Sequence, residues 1–279
     1  MSDAPASTSH SRPYRFIAAI GAYFIDTIAY IGGIALLAVT LGRWLIAALL
    51  LRRVRFGREA VYIQLVRVGI RSISIIALVS FCIGLILVLQ MAPPLDEFGQ
   101  VEKVANVNAV AVLRELGPLI SAIVLTGFAG ASIAAELGTM VVGEEIEALE
   151  SMALNPIRFL VVPRVLATVL GLIVLTAIAD LVAVGSGALI GMVALDIQWS
   201  VYYQNTLEQA KLVDFGTGLV KAAVFGGLIG LIACYNGLRV SGGAAGVGRA
   251  TTITVVHAIV SIILADLIFT ALFYALGLT

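Results

Sequence analysis

A small set of ionisable side chains lies inside long apolar stretches of the chain, and these are the side chains that could do chemistry. They are Arg114, Glu115, Glu136, Asp180, Lys221, His257 and Asp266. A charge within a membrane span is costly, so it usually faces a bundle interior or a watery cavity. The expected chemistry is recognition of a charged group, relay of a proton or ion, or ion pairing between helices. We expect Glu136 and Asp180 to be helix-packing hydrogen-bond partners, and His257 to be a packed polar residue.

Glu115 and Lys221 are predicted to form a salt bridge. Arg114 and Glu115 lie about two turns below the outer surface of one apolar run, at 3.6 residues per turn, and Lys221 has a similar depth in another run. We therefore expect Glu115 and Lys221 to be within ion-pair reach at the outer mouth of a cavity. The alternative is a purely structural pair that locks two helices.

Other chemistries have little support in the sequence. Gly243 and Gly248 have P-loop spacing, but Arg249 and Ala250 follow where a P-loop needs Lys and then Ser or Thr. We therefore expect no ATP hydrolysis by this chain and a flexible turn at these glycines. The two histidines are far apart and no Cys/His spacing resembles a zinc site, so no metal site is expected.

The composition is that of a multi-pass membrane protein. Of the 279 residues, 61% are hydrophobic and 12% are charged, whereas a soluble domain has about 25% charged residues. The mean hydropathy is +1.08. Cys82 and Cys234 both lie in apolar runs, so a disulfide framework is not expected. The predicted fold class is therefore an all-α protein that crosses the bilayer several times.

The apolar runs predict five transmembrane helices, each long enough for a hydrocarbon core about 30 Å thick. They lie at about 73–91, 107–142, 159–195, 215–238 and 253–278. We predict a bend near Pro118 and a loop at 239–252. Residues 1–15 are predicted to be a mobile N-terminus. The apolar run that follows is interrupted by Asp26 and Arg43. Residues 16–60 are predicted to form one or two interfacial helices in the inner leaflet, because this makes the remaining topology consistent; a further span is the alternative.

Arginine distribution predicts the orientation. If the Arg71 end of the 73–91 span lies inside, nearly all arginines are cytoplasmic, and only Lys103 and Lys211 lie outside. This positive-inside bias predicts a cytoplasmic N-terminus and a C-terminus on the outer side of the membrane. If residues 16–51 also span the bilayer, only the N-terminus changes side.

Residues 143–155, between the second and third spans, predict a short helix outside the membrane. Gly143 is the predicted N-cap, and Asn155-Pro156 ends the helix. Its apolar stripe comprises Ile146, Leu149 and Ala153, and its acidic residues are Glu144, Glu145, Glu147 and Glu150. The acidic face is available to a partner, or the segment is an ordinary solvated helix. Just before it, a stripe of small residues predicts close helix packing: Gly127, Ala131, Ala134 and Gly138.

Four motifs in this order resemble the MlaE/YrbE family, the permease subunits of MCE-type lipid ABC transporters. They are Arg114–Pro118, Ala134–Met140, Glu144–Pro156 and Gly248–Thr252. The resemblance runs from about Arg67 to the C-terminus, which defines a permease domain at 67–279. Phe128 departs from the family, which often carries Arg at that position.

The resemblance implies a homodimer that shares a lipid-accessible cavity, with phospholipid as the expected substrate. It implies cytoplasmic ABC ATPase subunits that hold ATP and Mg²⁺, a periplasmic MCE-domain protein, and no cofactor in this chain. The acidic helix corresponds to the coupling helix that docks on the ATPase. The positions that match the family's cavity are Arg114, Glu115, Lys221 and Asp266.

Two other functions remain open from the residues alone. A secondary transporter or channel working without ATP would need a relay, for which Asp180, His257 and Asp266 are the candidates. A membrane scaffold without transport activity is the other possibility. The resemblance favours a transporter subunit in the bacterial inner membrane.

Overall fold

The computed structural model describes residues 12–49 and 58–277, which form helices joined by short turns, with no strand in these ranges. The chain is an all-α multi-pass membrane protein, as predicted. The helices are α1 (Arg12–Leu49), α2 (Arg58–Leu65), α3 (Arg71–Glu97), α4 (Val104–Ala111), α5 (Gly117–Leu125), α6 (Ala131–Val142), α7 (Glu145–Ser151), α8 (Val162–Ala194), α9 (Trp199–Gln209), α10 (Leu212–Leu238) and α11 (Gly243–Ala275).

Short π-helical turns at Val66–Ile70, Val112–Leu116 and Thr126–Gly130 join several of these helices into longer ones, and another at Ile157–Val161 begins the helix that continues as α8. Each adds one residue to a helical turn, which rotates the side chains that follow. The segments long and apolar enough to cross a bilayer in the described ranges are Phe24–Ala47, Glu59–Glu97, Val101–Val142, Ile157–Ala194, Leu212–Leu238 and Gly243–Ala275.

The N-terminal helix α1 is one continuous helix and not two. It packs on one end of the bundle from Tyr30 to Leu45. Two contacts mark this stretch: the Tyr30 ring lies 5.3 Å from the Tyr235 ring in the last turns of α10, and Arg158 lies 5.7 Å from the Trp44 ring, just before α8. These points are about 21 Å apart along α1, at 1.5 Å per residue. Because α8 begins and α10 ends at the same end of the bundle, α1 runs across that end.

The core is built on α8, which packs against α3 and α10. Gly226 of α10 lies so close to Thr168 and Val169 of α8 that a Cβ atom there would come 2.8 Å from the Thr168 carbonyl oxygen. Close approach of backbones is how helices associate in a bilayer, where burial from water contributes little. At the opposite end of the bundle from α1, Tyr202 of α9 is buried and accepts a hydrogen bond from Asn108 Nδ2 at 3.2 Å. Burial raises the pKa of the Tyr202 phenol.

The prediction of a loop at 239–252 is wrong for most of these residues, because α11 begins at Gly243. The turn before it is confined to a few residues, with Gly242 and Gly243 at φ values of 86° and 65°. Gly246 then packs against the Ser241 carbonyl too closely for any side chain. The glycines therefore serve one tight turn and one close contact, and the prediction of a flexible loop overestimated their effect.

The acidic helix is shorter than predicted: α7 spans Glu145–Ser151. Gly143 is not its N-cap, because its N–H donates to the Thr139 carbonyl and still belongs to the end of α6. Glu144 takes the N-cap position at a left-handed φ of 59°. Asn155 instead caps the next helix, since its Oδ1 accepts hydrogen bonds from the backbone N–H groups of Ile157 and Arg158.

The small-residue stripe packs only over part of its predicted length within the single chain. A Cβ atom on Gly237 of α10 would lie 3.0 Å from the Ala134 carbonyl oxygen, and one on Gly138 would lie 2.8 Å from Val240. Gly127 has no neighbouring atom within 4 Å of such a Cβ, so the packing prediction does not hold there. Gly127 lies in the Thr126–Gly130 π turn, and the extra residue moves it off the face that carries Ala134.

Candidate functional site

The candidate site is centred on Lys221, whose side chain is 1% exposed in the first half of α10. Its Nζ atom donates to Glu115 Oε2 at 2.6 Å and to Thr270 Oγ1 at 3.1 Å, and it lies 2.9 Å from Asp266 Oδ1. The predicted pairing of Glu115 with Lys221 is confirmed. One ammonium group thus faces two carboxylates, and when all three are ionised the cluster carries an excess negative charge.

Three separate segments position this cluster. Glu115 lies in the Val112–Leu116 π turn, Lys221 in α10, and Asp266 and Thr270 one turn apart in α11. The π turn ends at Leu116, directly before Gly117 and Pro118, where a bend was predicted. The helix continues through this point without a break and changes only from π-helical to α-helical geometry. Because proline cannot donate a backbone hydrogen bond, the turn before it has the freedom to widen.

Thr270 was not identified from the sequence. Its hydroxyl accepts the hydrogen bond from Lys221 and donates to Glu115 Oε1 at 3.0 Å, so it bridges the two charged groups. The available signal was its spacing: Thr270 lies four residues after Asp266, on the same face of a helix.

The cluster is open on one side. The side chain of Glu115 is 37% exposed and that of Asp266 is 15% exposed, whereas Lys221 is buried beneath them. An incoming charged group would therefore meet the Glu115 carboxylate first. Such an arrangement can recognise a polar headgroup while the surrounding side chains remain apolar.

Arg114 points to a different partner from its neighbour Glu115. Its Nε donates to Asp214 Oδ1 at 2.6 Å, and Asp214 is buried at the start of α10. Asp214 Oδ2 in turn accepts from the backbone N–H of Lys211 at 3.1 Å. Arg114 therefore neutralises a buried carboxylate at the helix start. The sequence did not indicate this role, because Asp214 lies just before the predicted 215–238 span.

A second ion-pair network lies near the opposite end of the bundle, around Glu136. Its two oxygens pair with Arg67 Nη1 at 2.6 Å and Arg164 Nη2 at 2.9 Å. Arg164 also donates to the Leu160 carbonyl at 2.9 Å. The network joins α6 to α8 and to the Val66–Ile70 turn, so the predicted structural role of Glu136 is confirmed.

Asp180 does not have the predicted hydrogen-bond partner among the described residues. It is 2% exposed in α8, neither carboxylate oxygen is hydrogen-bonded within the described ranges, and it lies against Gly117. His257 packs on Tyr30, with ring centroids 4.7 Å apart, as a packed polar residue should. In the described part of the chain, no hydrogen bond or ion pair joins Asp180, His257 and Asp266 into a relay.

The short helix α7 presents two unlike faces. Ile146 and Leu149 are half-buried, whereas Glu145, Glu147 and Glu150 are exposed. This is the distribution expected of a helix that rests on its own protein and leaves an acidic face open. Its use by a partner stays a prediction.

Comparison with known proteins identifies the family. The sequence model of the family described as Permease MlaE matches residues 61–272, which include α7 and every residue of the Lys221 cluster. The chain belongs to the MlaE permease family.

The relatives of this MlaE-family permease span bacteria and a plant. It is 37% identical over 211 residues to the probable ABC transporter permease protein of Rickettsia prowazekii, covering 76% of this chain and 82% of the relative. It is 34% identical to the chloroplastic protein TRIGALACTOSYLDIACYLGLYCEROL 1 of Arabidopsis thaliana, over 76% of this chain and 60% of that protein. It is 31% identical to the intermembrane phospholipid transport system permease protein MlaE of Haemophilus influenzae, over 94% of this chain and 98% of that protein.

Family membership makes this chain the membrane subunit of a transporter and not a catalytic enzyme. The alignment with the Haemophilus permease covers nearly the whole chain. In this MlaE-family permease, the Lys221 cluster is therefore the candidate site for its transported molecule, and α7 is the candidate contact for a partner.

Proposed function

We propose that this chain is the permease subunit of an ATP-driven phospholipid transporter in the bacterial inner membrane. The observation that carries the proposal is the buried Lys221 cluster, which sets charged groups among apolar helices in a chain of the MlaE family. An amphiphile needs both kinds of surface, since acyl chains favour apolar walls and a headgroup favours fixed charges. The name of the Haemophilus relative, which includes phospholipid transport, supports the substrate class.

The lipid cavity in this proposal lies between two copies of the chain. One face of α11 is exposed and strongly apolar, and it carries Val260, Ile263, Leu264, Leu267 and Ile268. Asp266 lies on the same helix, turned toward Lys221. Two such faces opposite each other would enclose acyl chains, with Glu115, Lys221 and Asp266 meeting the headgroup. Arg114 would act at the rim of this cavity through its ion pair with Asp214.

The proposed orientation follows from the arginines. The ends of α6 and α10, the start of α8 and all of α7 are cytoplasmic, and α9 and the C-terminus are periplasmic. Helix α1, which runs across the cytoplasmic end of the bundle, would lie in the inner leaflet as part of the predicted interfacial segment, with the permease domain at 67–279. The N-terminus is then cytoplasmic.

Energy enters through α7 in this proposal. ATP binding draws two cytoplasmic ABC ATPase subunits together, and α7 receives that motion through its acidic face. Ile146 and Leu149 anchor α7 to its own protein, so a push on α7 reaches α6 and the π turn at Thr126–Gly130. The cavity then changes width and passes a phospholipid to or from a periplasmic MCE-domain protein, in support of outer-membrane lipid homeostasis.

A reconstituted assay tests the proposal. The tagged chain is purified with the proteins that bind it, placed in liposomes, and supplied with a fluorescent phospholipid and ATP. ATP-dependent lipid transfer, lost on changing Lys221→Met together with Glu115→Gln, is the expected result. Transfer without ATP or an ATPase would indicate a secondary transporter. Absence of both transfer and bound lipid would indicate a scaffold, and either outcome would overturn the proposal.

A further inference from the structure

A cavity lies far from the Lys221 cluster, between α1, the end of α10 and the start of α11. Its volume is about 400 Å³, within the usual range for small-ligand sites. Its charged lining residues are Asp26 from α1, Arg239 after α10 and Arg249 from α11. The rings of Tyr30 and Tyr235 form part of its wall. The proposed function leaves this cavity without a role.

Both arginines are exposed, and the Tyr235 ring holds one of them in place. Arg239 donates a hydrogen bond to the Tyr235 hydroxyl, and its guanidinium carbon lies 5.1 Å from the Tyr235 ring centroid. Arg249 folds back over the tight turn before α11, where a Cβ atom on Gly242 would lie 3.2 Å from its Nη2. The Arg239 guanidinium, fixed in this way, loses less conformational entropy on binding an oxyanion than a free one.

These arginines lack a carboxylate partner among the described side chains. Within those side chains, the ion pairs within 4.0 Å involve Arg67, Arg114, Arg164 and Lys221 but neither Arg239 nor Arg249. Asp26 lines the same cavity and is likewise absent from these pairs. The cavity therefore offers separated positive and negative groups that do not neutralise each other by direct contact.

We propose that this cavity binds the headgroup of a zwitterionic phospholipid with a primary ammonium group, taken from the leaflet in which α1 lies. Arg239 and Arg249 would bind the phosphate, with the bidentate geometry that guanidinium groups favour, and Asp26 would bind the ammonium. The exposed apolar residues of α1, including Ile25 and Ile28, would lie beside the acyl chains. The position of this cavity relative to the membrane rests on the proposed function, because the inference assumes the same orientation of the chain and an α1 that lies in the inner leaflet.

The cavity would serve as a second lipid site, distinct from the Lys221 cluster. It lies at the end of the bundle where α1, α10 and α11 meet, whereas Lys221 pairs with Glu115 and Asp266 nearer the opposite end. A lipid held at the cytoplasmic surface by α1 would be either on its way into the transporter or a fixed structural ligand. Both uses require the same headgroup chemistry.

Native mass spectrometry of the intact protein tests the inference. The protein is titrated separately with phosphatidylethanolamine and with phosphatidylglycerol, and the retained lipid is counted. The double variant Arg239→Gln/Arg249→Gln should retain about tenfold less of both lipids, since charged hydrogen bonds to the phosphate are lost. Asp26→Asn should lower the retention of phosphatidylethanolamine while leaving phosphatidylglycerol unchanged or stronger.

The matched control is Arg158→Gln, which removes an arginine near the same end of the bundle that packs on Trp44 outside the cavity. It should leave the retention of both lipids unchanged, and thermal melting checks that every variant is folded. Equal loss in the control, or an unchanged ratio of the two lipids in Asp26→Asn, would overturn the inference. Displacement of lipid by equimolar soluble phosphoethanolamine would assign the cavity to soluble phosphate compounds and overturn the lipid assignment.

The liposome transfer assay separates this inference from the proposed function. Loss of lipid retention in the Arg239 and Arg249 variant is measured on the purified chain without ATP. ATP-dependent transfer with no selective retention here would leave the proposed function standing and refute this site. Selective retention without any ATP-dependent transfer would support the site and refute the proposed function.

Discussion

Lys221 Nζ lies 2.6 Å from Glu115 Oε2, although 106 residues separate the two in the chain. The pair joins α10 to a π-helical turn in the preceding long helix, and Asp266 and Thr270 bring α11 to the same point. A buried ammonium with two carboxylates and one hydroxyl thus connects three of the long helices.

Lys221→Met should destabilise the protein strongly and abolish transport. The change leaves Glu115 and Asp266 facing each other without a counter-charge, and breaking a buried pair in this way costs about 3–5 kcal/mol. Thermal melting in detergent measures the stability. The triple variant Lys221→Met/Glu115→Gln/Asp266→Asn should regain most of the stability without regaining transport. Lys103→Met, at an exposed position, is the control and should melt like the wild type.

Thr270→Val should slow lipid transfer by several-fold with a stability loss of about 1 kcal/mol, the net contribution of a typical hydrogen bond. The hydroxyl both accepts from Lys221 and donates to Glu115, and valine has the same shape without either bond. Thr270→Ser keeps the hydroxyl and should transfer lipid at nearly the wild-type rate. Equal rates for the valine and serine variants would show that the bridge has no role.

Reversing the acidic face of α7, by changing Glu145, Glu147 and Glu150 to Lys, should uncouple ATP hydrolysis from lipid transfer. These side chains are exposed, so the fold should survive, whereas a partner surface that fits an acidic face would be repelled. Co-purification of the ATPase and the liposome assay report the two effects. Glu59→Lys reverses one exposed charge at the start of α2 and should leave both unchanged. Normal association and transfer in the triple variant would contradict a coupling role.

Tyr202→Phe should destabilise the protein by about 1 kcal/mol at neutral pH, because Asn108 loses its acceptor in a buried contact. Burial raises the pKa of Tyr202 above its usual value of 10.0, so the neutral phenol is the form that the fold accommodates. Its contribution is complete below pH 10 and is lost as pH rises through the raised pKa. Between about pH 8 and pH 11, the melting temperature should therefore fall more steeply with pH for the wild type than for Tyr202→Phe.

The matched control for that experiment is Tyr203→Phe, because the neighbouring Tyr203 is 51% exposed and stacks on Trp199. Its melting curves should follow those of the wild type at every pH. A similar loss of pH dependence in both variants would show that the effect does not come from the Asn108 contact.

The sequence alone determined the class of protein and one contact of its site. Long apolar runs with few charges can be stable only as helices in a bilayer, and this fixed the all-α fold. Counting turns from the ends of two runs gave Glu115 and Lys221 the same depth, and charges at one depth in an apolar medium are driven to pair. The spacing of Ile146 and Leu149 likewise predicted which face of α7 is half-buried.

Only the tertiary structure decided what depended on the rotation of one helix against another. The π turn at Val112–Leu116 directs Glu115 to Lys221 and its neighbour Arg114 to Asp214. The structure also places Thr270 in the cluster and leaves Asp180 without a hydrogen-bond partner in the described ranges. It places α1 across the end of the bundle. Periodicity gives the depth of a side chain and its face on its own helix. The direction of that face toward a neighbour follows from close packing between helices, which a single apolar run does not encode.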